Sequence, residues 1–572
     1  MSSTVAQAIV DTLFEAGARR VYGIPGDTLN HITDAIRLKE DLRWVHVRHE
    51  EAGAFAAGAD ALLTGDLAVC AGSCGPGSLH FINGVFESHR NRAPMVLIAS
   101  QIVRDELGFD FPQEVDFKSV YASCSVWCDE IRTPAQARRK AAMAAQAALS
   151  KRGVAVLIVP ADISAAKLTD DDHFAVHRAQ SRTIPAPHEL DRIAKALNGG
   201  GKVAIYGGSG CEGAHDAVLA LAARLKAPVA HTSRAKDFLE YDNPHDVGMT
   251  GIFGGKAGYH ALMGCDTLLL LGCDFAWRQF YPEKAKIIQI DIDPTHLGRR
   301  HPVQIGAVGD IGPTLDALLP LIREREDRKF LDASLEVQTQ TRENQQSRAV
   351  VGKSGAIHPQ YLTSLIASQA SPDAVYTADG GSPMVWCLRH VPATGQNRTV
   401  ISLTHGTMAN AMPQALGAQA AYPERQVIAL CGDGGLSMLL GDLLTAIQEE
   451  LPIKVCVFNN ASLGFVELEQ KVEGMLHAFT DLKNPDFAQV ARAIGFWGQR
   501  VEKPESLEGA VAQWLAEPGP ALLDVVTDRY ELVMPPKVNA SQVLGTALYS
   551  AKAVLDGQSE EVTKLLSHAL VP

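Results

Sequence analysis

Two short polar segments have the residue types and the spacing of a site for a diphosphate and a metal ion. Gly432-Asp433-Gly434-Gly435 follows the apolar run 426–430, and Asn459-Asn460, which begins 26 residues after the aspartate, follows the apolar run 453–458. Glycines let a backbone approach a ligand closely, and free N–H groups at a helix start bind phosphate. Aspartate and asparagine oxygens are ligands that Mg²⁺ prefers. The alternative is a tight turn and an Asn-rich loop, and the spacing favours the ligand site.

The polar segments can meet only if the two apolar runs are neighbouring parallel strands, because ligands bind at the carboxyl ends of such strands. We therefore predict strands at 426–430 and 453–458 with a helix over 436–449 between them. The same order of strand, Gly-rich turn, helix and strand occurs at 67–99 and at 202–230. This alternation predicts an α/β fold of three doubly wound parallel-sheet domains, of which the first and third have a similar order of elements.

Two segments of different composition separate the predicted domains. Residues 181–187 (SRTIPAP) form one, and the charged, Gln-rich segment 323–354, which we expect to be a helix, forms the other. The predicted domains are 1–180, 181–340 and 341–531, followed by a C-terminal helical tail at 532–572.

The composition excludes several classes of protein. The chain has 572 residues, of which 46% are hydrophobic, so a disordered or fibrous protein is excluded. Lys and Arg number 52 and Asp and Glu 65, and the resulting charge of −13 disfavours nucleic acid as a partner. No apolar run approaches the roughly 20 residues of a membrane span, and no secretory signal is visible. We expect the ten scattered cysteines to be buried thiols of a cytoplasmic protein.

Further segments make the chain similar to the thiamine diphosphate enzyme superfamily. The GDG…NN spacing is the signature of that superfamily, and the segments 48–51 (RHEE) and 405–409 (HGTMA) resemble its regions around the coenzyme. The resemblance implies thiamine diphosphate and Mg²⁺ as cofactors, with the metal bound by Asp433, Asn460 and Ser462. It also implies that Glu50 bonds to the aminopyrimidine ring and promotes proton loss from the thiazolium ring. The other residues that it assigns to the coenzyme are Gly406, Thr407, Met408, Gly434, Gly435, Ala461, Leu463, Gly464, Phe465 and Val466.

Two of these residues also have simpler interpretations. Glu50 is suited to the N-terminus of a helix, where the helix dipole stabilises an acidic residue. Met408 is suited to the core of an apolar helix. Taken alone, each residue favours the simpler interpretation, and it is the GDG…NN motif that favours the catalytic one for Glu50.

Within the superfamily the chain resembles the flavin-containing pyruvate oxidase branch. The resemblance rests on the segments 70–94, 240–251, 286–294 and 405–435. It implies FAD in the central domain, where Arg278 could meet the diphosphate and Asp291 or Asp293 the adenosine hydroxyls. The residues assigned to FAD are Gly251, Ile252, Phe253, Gly254, Asp274, Phe275, Ala276, Trp277, Arg278, Asp291 and Ile292.

A nicotinamide site and an empty domain are the alternatives to FAD. The G-x-G-x-x-G at 208–213 is a weak signal by itself. The strand at 228–230 is followed by His231 and Thr232 instead of the acidic residue that NAD binding expects, which disfavours NAD. The other alternative, a nucleotide-type domain that binds no cofactor and serves only as a scaffold, is not excluded by the sequence.

The pyruvate oxidase resemblance implies oxidative decarboxylation of pyruvate to acetate and CO₂, with electrons passed to a membrane quinone. It places Gln113 near the thiazolium and Phe465 on the way to the flavin, although a buried core aromatic is an equal alternative for Phe465. Two residues depart from the pattern: Pro112 replaces a phenylalanine, and Gly380 replaces a valine. The second change predicts a wider pocket that also accepts larger 2-oxo acids.

Other functions stay open at this point. One is an acetolactate synthase-like carboligase acting on 2-oxo acids, and another is a pyruvate oxidase that uses oxygen. A simple decarboxylase usually carries adjacent catalytic histidines, and the sequence has no His-His pair. A scaffold without catalytic activity is disfavoured because Glu50, Asp433 and Asn460 occur together.

The C-terminal tail is the part of the chain that we expect to associate with lipid. Ser559 can cap a helix that has one apolar face, and the resemblance implies that this helix is released to bind a membrane. From 548 to 572 there are two lysines and three acidic residues, so we expect only weak lipid association, at the cytoplasmic face of the cell membrane. A packed structural helix is the alternative. The apolar face consists of Val562, Leu565, Leu566, Ala569 and Leu570.

The position of Glu50 and Asp433 in different predicted domains bears on assembly. In the superfamily, a site built from these two domains is shared by two chains. The resemblance therefore implies a dimer-based homo-oligomer, which we expect to be a tetramer.

Overall fold

The computed structural model describes residues 3–169, 172–179, 181–349, 356–529, 531, 546, 548–550 and 552–553. In these residues the strands form three six-stranded sheets, and all of the strand pairs are parallel. Helices connect most of the successive strands, as is usual for parallel pairing, and two connections of the second sheet, 272–285 and 292–304, contain only short 3₁₀ segments. The predicted α/β fold of three parallel-sheet domains is confirmed, and each sheet with its helices is called a unit below.

The first unit comprises the strands and helices between residues 5 and 165. Its strands are β1 (Arg20–Gly23), β2 (Arg43–His46), β3 (Ala68–Gly72), β4 (Met95–Gln101), β5 (Trp127–Glu130) and β6 (Val154–Pro160). Its helices are α1 (Val5–Glu15), α2 (Asn30–Arg37), α3 (Glu50–Thr64), α4 (Pro76–Leu79), α5 (Ile82–Arg90), α6 (Phe117–Tyr121), α7 (Ala137–Lys151) and α8 (Ala161–Ala165). The strand order is β2-β1-β3-β4-β6-β5. The central strands β3, β4 and β6 are buried along their whole length, because helices cover both faces of the sheet.

The second unit lies between residues 187 and 318 and is followed by a long helix. Its strands are β7 (Val203–Gly207), β8 (Val229–His231), β9 (Asp246–Met249), β10 (Thr267–Leu271), β11 (Lys286–Asp291) and β12 (Ile305–Val308). Its helices are α9 (Pro187–Leu197), α10 (His215–Leu225), α11 (Lys236–Leu239), α12 (Lys256–Gly264) and α13 (Ile311–Leu318). The strand order is β12-β11-β10-β7-β8-β9. The helix predicted within 323–354 is α14 (Lys329–Arg348), which packs against α12 and β9.

The third unit begins at residue 359. Its strands are β13 (Val375–Ala378), β14 (Arg398–Ile401), β15 (Val427–Gly432), β16 (Lys454–Asn459), β17 (Trp497–Val501) and β18 (Ala521–Val526). Its helices are α15 (Pro359–Gln369), α16 (Ser382–His390), α17 (Ala411–Ala421), α18 (Asp433–Met438), α19 (Leu443–Gln448), α20 (Gly464–Val472), α21 (Phe487–Ala493) and α22 (Leu507–Ala516). The strand order β14-β13-β15-β16-β18-β17 repeats that of the first unit when strands are counted within each unit, which confirms the predicted similarity.

The helix predicted over 436–449 is wrong in its bounds. It begins at Asp433 and is divided into α18 and α19 by a turn at Leu440–Asp442. The division has a tertiary cause, because the Asp442 carboxylate accepts a hydrogen bond from the Arg48 backbone N–H at 2.7 Å. A contact with the first unit therefore lies at the point where the helix is divided.

The first and third units share one hydrophobic core, centred on the packing of α3 against α17. The two helices approach so closely that a Cβ atom on Gly417 would lie 1.9 Å from the Ala56 carbonyl oxygen. Both helices are rich in alanine and glycine, and side chains of this size allow the close approach.

All ten cysteines are free thiols, and nine of them are buried, as predicted. Among the described residues, no helix is long and apolar enough to cross a membrane. The predicted apolar face of the tail, 562–570, lies outside the described residues.

Candidate active site

The GDG segment lies at the carboxyl end of β15. Asp433 is the first residue of α18 and is 3% exposed, so burial raises the pKa of its carboxyl. Its Oδ1 accepts a hydrogen bond from the Gly434 N–H at 2.9 Å, and its Oδ2 accepts from the Ala461 N–H at 2.7 Å and from Asn484 Nδ2 at 2.8 Å. Ala461 follows β16, so one carboxylate joins the ends of the two strands, as the sequence predicted.

The Asn460 segment turns sharply beside this carboxylate. Ala461 has a φ of 53°, and Asn460 Oδ1 accepts a hydrogen bond from the Ser462 N–H at 3.1 Å. The Ser462 hydroxyl donates to Glu467 at 2.5 Å, so a role in metal binding falls to its carbonyl group. One carboxylate, one amide oxygen and one carbonyl oxygen fit Mg²⁺ that also takes diphosphate oxygens and water. In the described part of the chain, no cluster of three or more His, Cys, Asp or Glu side chains offers a different metal site.

The two glycines after Asp433 lie against different neighbours. A Cβ atom on Gly435 would be 2.3 Å from Asp379 Oδ2, whereas one on Gly434 would be 2.8 Å from a terminal methyl carbon of Leu463 and 3.3 Å from Met408 Cε. Gly434 therefore keeps a narrow space open between the metal segment and the 405–409 strip. This cradle, which a side chain would fill, fits a diphosphate bound through backbone N–H groups.

Asp379 is a site residue that sequence reasoning missed. It is 1% exposed at the carboxyl end of β13, and its carboxylate accepts hydrogen bonds from the Ala411 N–H at 2.9 Å and the Gly432 N–H at 3.1 Å. Burial raises the pKa of Asp379 to about 7. The available signal was its position: Asp379 directly follows an apolar run, as Asp433 does.

The 405–409 strip is a loop before α17, so the interpretation of Met408 as a residue of an apolar helix is wrong. Gly406 has a φ of 74°, which favours glycine. The Thr407 hydroxyl oxygen accepts a hydrogen bond from Asn83 Nδ2 at 3.0 Å, and the same Asn83 Nδ2 donates to Glu51 at 2.7 Å. Asn83 thus joins the start of α3 in the first unit to the strip in the third.

Glu50 is the first residue of α3 and is 7% exposed. Its Oε2 lies 3.0 Å from His80 Nδ1, and its Oε1 lies 3.5 Å from the place that a Cβ atom on Gly77 would take. Gln113, with a φ of 68°, packs against Gly75 in the same turn. The structure therefore brings Gln113 and Glu50 to one turn.

The predicted FAD residues fall into two groups. Asp274, Asp291 and Ile292 line a cavity of about 360 Å³ that is bordered by all three units. The loop Gly251–Gly254 lies instead against the ring of Phe275, whose Cζ is 2.7 Å from the place of a Cβ atom on Gly251. The residues Ala276, Trp277 and Arg278 are exposed beyond it, and Asp293 stabilises a local turn by accepting from the Thr295 N–H. The structure places Arg278 outside the residues that line the cavity.

The cavity is also lined by several arginines that sequence reasoning missed. Arg92 comes from the first unit, Arg234 from the second and Arg398 from the third. Burial, and next the charge of Arg92, lower the pKa of Arg234 to about 10, and its guanidinium donates to the Asn91 carbonyl at 3.0 Å. Arg234 follows β8 and could have been found by the carboxyl-end rule. Arg92 and Arg398 could not, because only the packing of the units brings them there.

One aromatic contact joins the two predicted cofactor regions. The ring of Phe465, at the start of α20, lies 6.4 Å from the ring of Phe253, centroid to centroid. Phe465 belongs to the segment predicted to hold the coenzyme, and Phe253 to the segment predicted to hold the flavin.

Three parallel-sheet units, with a buried aspartate and glycines at a strand end, define the class of α/β enzymes that bind a diphosphate coenzyme. Domain models of the thiamine pyrophosphate enzymes match the chain at residues 3–120 (N-terminal TPP binding domain), 190–318 (central domain) and 379–525 (C-terminal TPP binding domain). The chain belongs to the thiamine pyrophosphate enzyme family and is an enzyme with thiamine diphosphate binding domains.

Relatives of different activity are similar to the chain over nearly its whole length. A "putative thiamine pyrophosphate-containing protein", YdaP of Bacillus subtilis, is 34% identical over 98% of both chains. The pyruvate oxidase of Lactiplantibacillus plantarum is 31% identical over 91% of this chain and 88% of its own. The large subunit of acetolactate synthase isozyme 2 of Escherichia coli is 29% identical over 94% of this chain and 99% of its own.

Proposed function

We propose that the protein decarboxylates pyruvate oxidatively to acetate and CO₂, using thiamine diphosphate, Mg²⁺ and FAD, and passes the electrons to a membrane quinone. The observation that carries the proposal is the contact between Phe465 and Phe253. An oxidative reaction requires electrons to travel from the coenzyme to the flavin. A packed aromatic pair between the two binding segments supplies such a connection, and a carboligase has no need of it.

Different residues of the chain would have different roles in this reaction. When bound, thiamine diphosphate supplies the electron sink that makes decarboxylation of a 2-oxo acid possible. Asp433, Asn460 and the carbonyl group of Ser462 would hold Mg²⁺ and, through it, the diphosphate. Glu50 would hold a proton at the aminopyrimidine ring, and its burial beside His80 keeps water from that carboxyl.

The cavity between the three units is the place proposed for part of the flavin nucleotide. Asp291, whose Oδ1 lies 3.1 Å from His296 Nδ1, is buried and fixed at the cavity wall. Arg92, Arg234 and Arg398 supply positive charge that fits a diphosphate. The ring of the flavin would then lie toward the loop that carries Phe253.

Carboligation is the second candidate, because an acetolactate synthase is similar to the chain at almost the same identity as the pyruvate oxidase. Product analysis separates the candidates. Incubation of the reconstituted enzyme with pyruvate and a soluble two-electron acceptor should give acetate, CO₂ and reduced acceptor in equal amounts. Acetolactate as the main product would contradict the proposal, and hydrogen peroxide in air would identify oxygen as the acceptor in place of a quinone.

A matched pair of variants tests the aromatic contact in the same assay. Phe465→Ala removes the ring beside Phe253, whereas Phe479→Ala removes a fully exposed ring of the same unit. Acceptor reduction should slow in the first variant and stay unchanged in the second. Equal rates in both variants would remove the support that the contact gives to an oxidative reaction.

We also propose a homo-oligomer, a tetramer, in which Glu50 and Asp433 of one site come from two chains. Asp433→Ala should be inactive alone, and Glu50→Gln should keep about a hundredth of the wild-type activity or less. After subunit exchange, a mixture of the two should regain about a quarter of the wild-type activity, since half of the dimers then carry one intact site. No regained activity in exchanged mixtures would show that each site is built within one chain.

Membrane association is proposed to be weak and confined to the cytoplasmic face. In the part of the tail that is described, Lys552 Nζ donates to the Gly474 carbonyl at 2.7 Å, and Tyr549 packs beside Leu476. Tyr549 and Lys552 therefore lie next to the segment that follows α20. Truncation at Gly557 should abolish substrate-dependent binding to liposomes and preserve activity with a soluble acceptor. Equal liposome binding by both forms would reject the membrane role.

A further inference from the structure

Glu87 is a buried carboxyl group between the first and third units. It lies on α5, is 1% exposed, and faces three hydrogen-bond donors. The Ser402 hydroxyl donates to its Oε2 at 2.6 Å. Asn91 Nδ2 and Gln414 Nε2 both donate to its Oε1, the second at 3.5 Å. An acceptor with this number of donors around it is matched to the carboxylate form.

One side of this carboxylate supports the strip that is assigned to the coenzyme. The Ser402 oxygen accepts a hydrogen bond from the Thr407 N–H at 3.0 Å. Because the serine oxygen accepts from Thr407, its proton is directed to Glu87. The position of Thr407, and of Met408 after it, therefore depends on an acceptor at position 87.

The other side supports the wall of the cavity that is assigned to the flavin. Asn91, which bonds to Glu87 through its side chain, accepts the Arg234 guanidinium on its backbone carbonyl at 3.0 Å. Both Asn91 and Arg234 line the cavity. Glu87 is thus one hydrogen bond from the cavity wall and two from the strip.

The negative charge of Glu87 also matters to these hydrogen bonds. Burial raises the pKa of Glu87 to about 7, and the Ser402 bond and the charge of Arg234 oppose that rise. A glutamine has nearly the same shape, but it replaces one acceptor oxygen by an NH₂ group. If its oxygen stays with Asn91 and Gln414, the NH₂ group faces Ser402, whose proton must then turn away.

We propose that Glu87 is a positioning residue that holds the coenzyme strip and the flavin cavity wall in one arrangement. The ligand names rest on the proposed function, but the two hydrogen-bonded arms do not. Glu87 touches neither cofactor region directly and acts through Ser402 on one side and Asn91 on the other. Its loss should therefore affect both cofactors at once, which a residue of one site would not do.

The test is the affinity of the purified full-length chain for each cofactor, with Mg²⁺ present. In Glu87→Gln the dissociation constants of thiamine diphosphate and of FAD should both rise about tenfold, the change that corresponds to one weakened hydrogen bond to a charged group. The midpoint potential of the bound flavin should also shift, because the charge near Arg234 changes. Affinities and potential equal to those of the wild type would overturn the proposal.

Two single-arm variants separate a positioning role from a general loss of stability. Ser402→Ala cuts only the arm to Thr407 and should weaken thiamine diphosphate, leaving FAD affinity within about twofold. Asn91→Ala removes the bond that joins Glu87 to the cavity wall, together with two long contacts, to Thr404 at 3.4 Å and to the Ile401 carbonyl at 3.5 Å, and should weaken FAD more than thiamine diphosphate. If Glu87→Gln does not fold, this pair decides: equal effects of each variant on both cofactors would overturn the proposal.

The wild-type protein distinguishes this inference from the function on which it rests. If the wild type binds both cofactors and Glu87→Gln binds them equally well, the positioning role alone is wrong. If the wild type binds neither cofactor, the proposed function and this inference are both overturned. Loss of both affinities in Glu87→Gln, with one lost in each single-arm variant, supports the inference.

Discussion

Gly435→Ala tests the packing at the centre of the diphosphate segment. The added Cβ atom would lie 2.3 Å from Asp379 Oδ2 and 2.8 Å from Asp379 Cγ, well inside normal contact distance. Asp379 cannot yield easily, because it is 1% exposed and its two oxygens accept hydrogen bonds from the backbone N–H groups of Ala411 and Gly432. The substitution must therefore displace either this carboxylate or α18 itself.

The expected loss of stability combines two effects, crowding of the interior and the loss of a hydrogen bond to Asp379. Crowding a packed interior costs about 1–3 kcal/mol. Leaving a buried acceptor such as Asp379 with one hydrogen bond fewer costs about 1–3 kcal/mol more. We expect the free energy of unfolding to fall by about 3 kcal/mol, with thiamine diphosphate affinity reduced more than tenfold because the Asp433 segment moves with the helix.

The assay is urea unfolding of the apoprotein together with coenzyme titration in the presence of Mg²⁺. Gly441→Ala is the matched control, because a Cβ atom there has no neighbour within 4 Å. Gly434→Ala should be intermediate in stability, since it meets the flexible end of Leu463 at 2.8 Å. An unfolding midpoint and a coenzyme affinity of Gly435→Ala equal to those of Gly441→Ala would refute the reasoning.

The remaining predictions concern four other residues. Glu50→Gln should retain thiamine diphosphate but slow exchange of its C2 proton by about 10² to 10⁴; a near-normal NMR exchange rate would refute this role. Phe465→Ala should slow flavin reduction in stopped flow more than it weakens pyruvate binding, and an unchanged rate would favour a core aromatic. Gly380→Val should lower coenzyme affinity instead of narrowing the substrate range, because its Cβ atom would lie 2.2 Å from the Thr407 carbonyl oxygen; a folded variant with normal affinity and stricter pyruvate preference would contradict this. Burial raises the pKa of Glu87 from 4.5 to about 7, so the folded state binds this proton more tightly than the unfolded state does. The free energy of unfolding should therefore fall as the pH rises from about 4.5 to 7. Urea unfolding of Glu87→Gln should lack up to about 1.4 kcal/mol of that fall per pH unit.

The sequence predicted the fold because each local signal agreed with the global arrangement. Apolar runs such as 426–430 and 453–458 are too short for buried helices and end in polar residues, so they specify parallel strands and the edge at which ligands bind. The meeting of Asp433 with the Asn460 segment followed from that rule alone. The division of the predicted helix at Asp442 did not, because its cause is a hydrogen bond from another unit.

The parts of the site that could not be predicted depend on the packing of units. Arg92 and Arg398 are far apart in the sequence and line one cavity only because the units meet there. The wider pocket inferred from Gly380 stays a prediction, but the sequence did not show what lies beside this residue. The space that a valine would take is occupied by the backbone of Thr407, a close approach that no pattern around residue 380 shows.

The most direct test of the proposed function is the absorbance of the flavin after pyruvate is added without oxygen. The protein, reconstituted with thiamine diphosphate, Mg²⁺ and FAD, should lose its flavin absorbance near 450 nm, roughly one flavin for each acetate formed. The Glu50→Gln variant should show the same loss at a much lower rate. A flavin that stays oxidised while acetolactate accumulates would contradict the oxidative reaction and identify the enzyme as a carboligase.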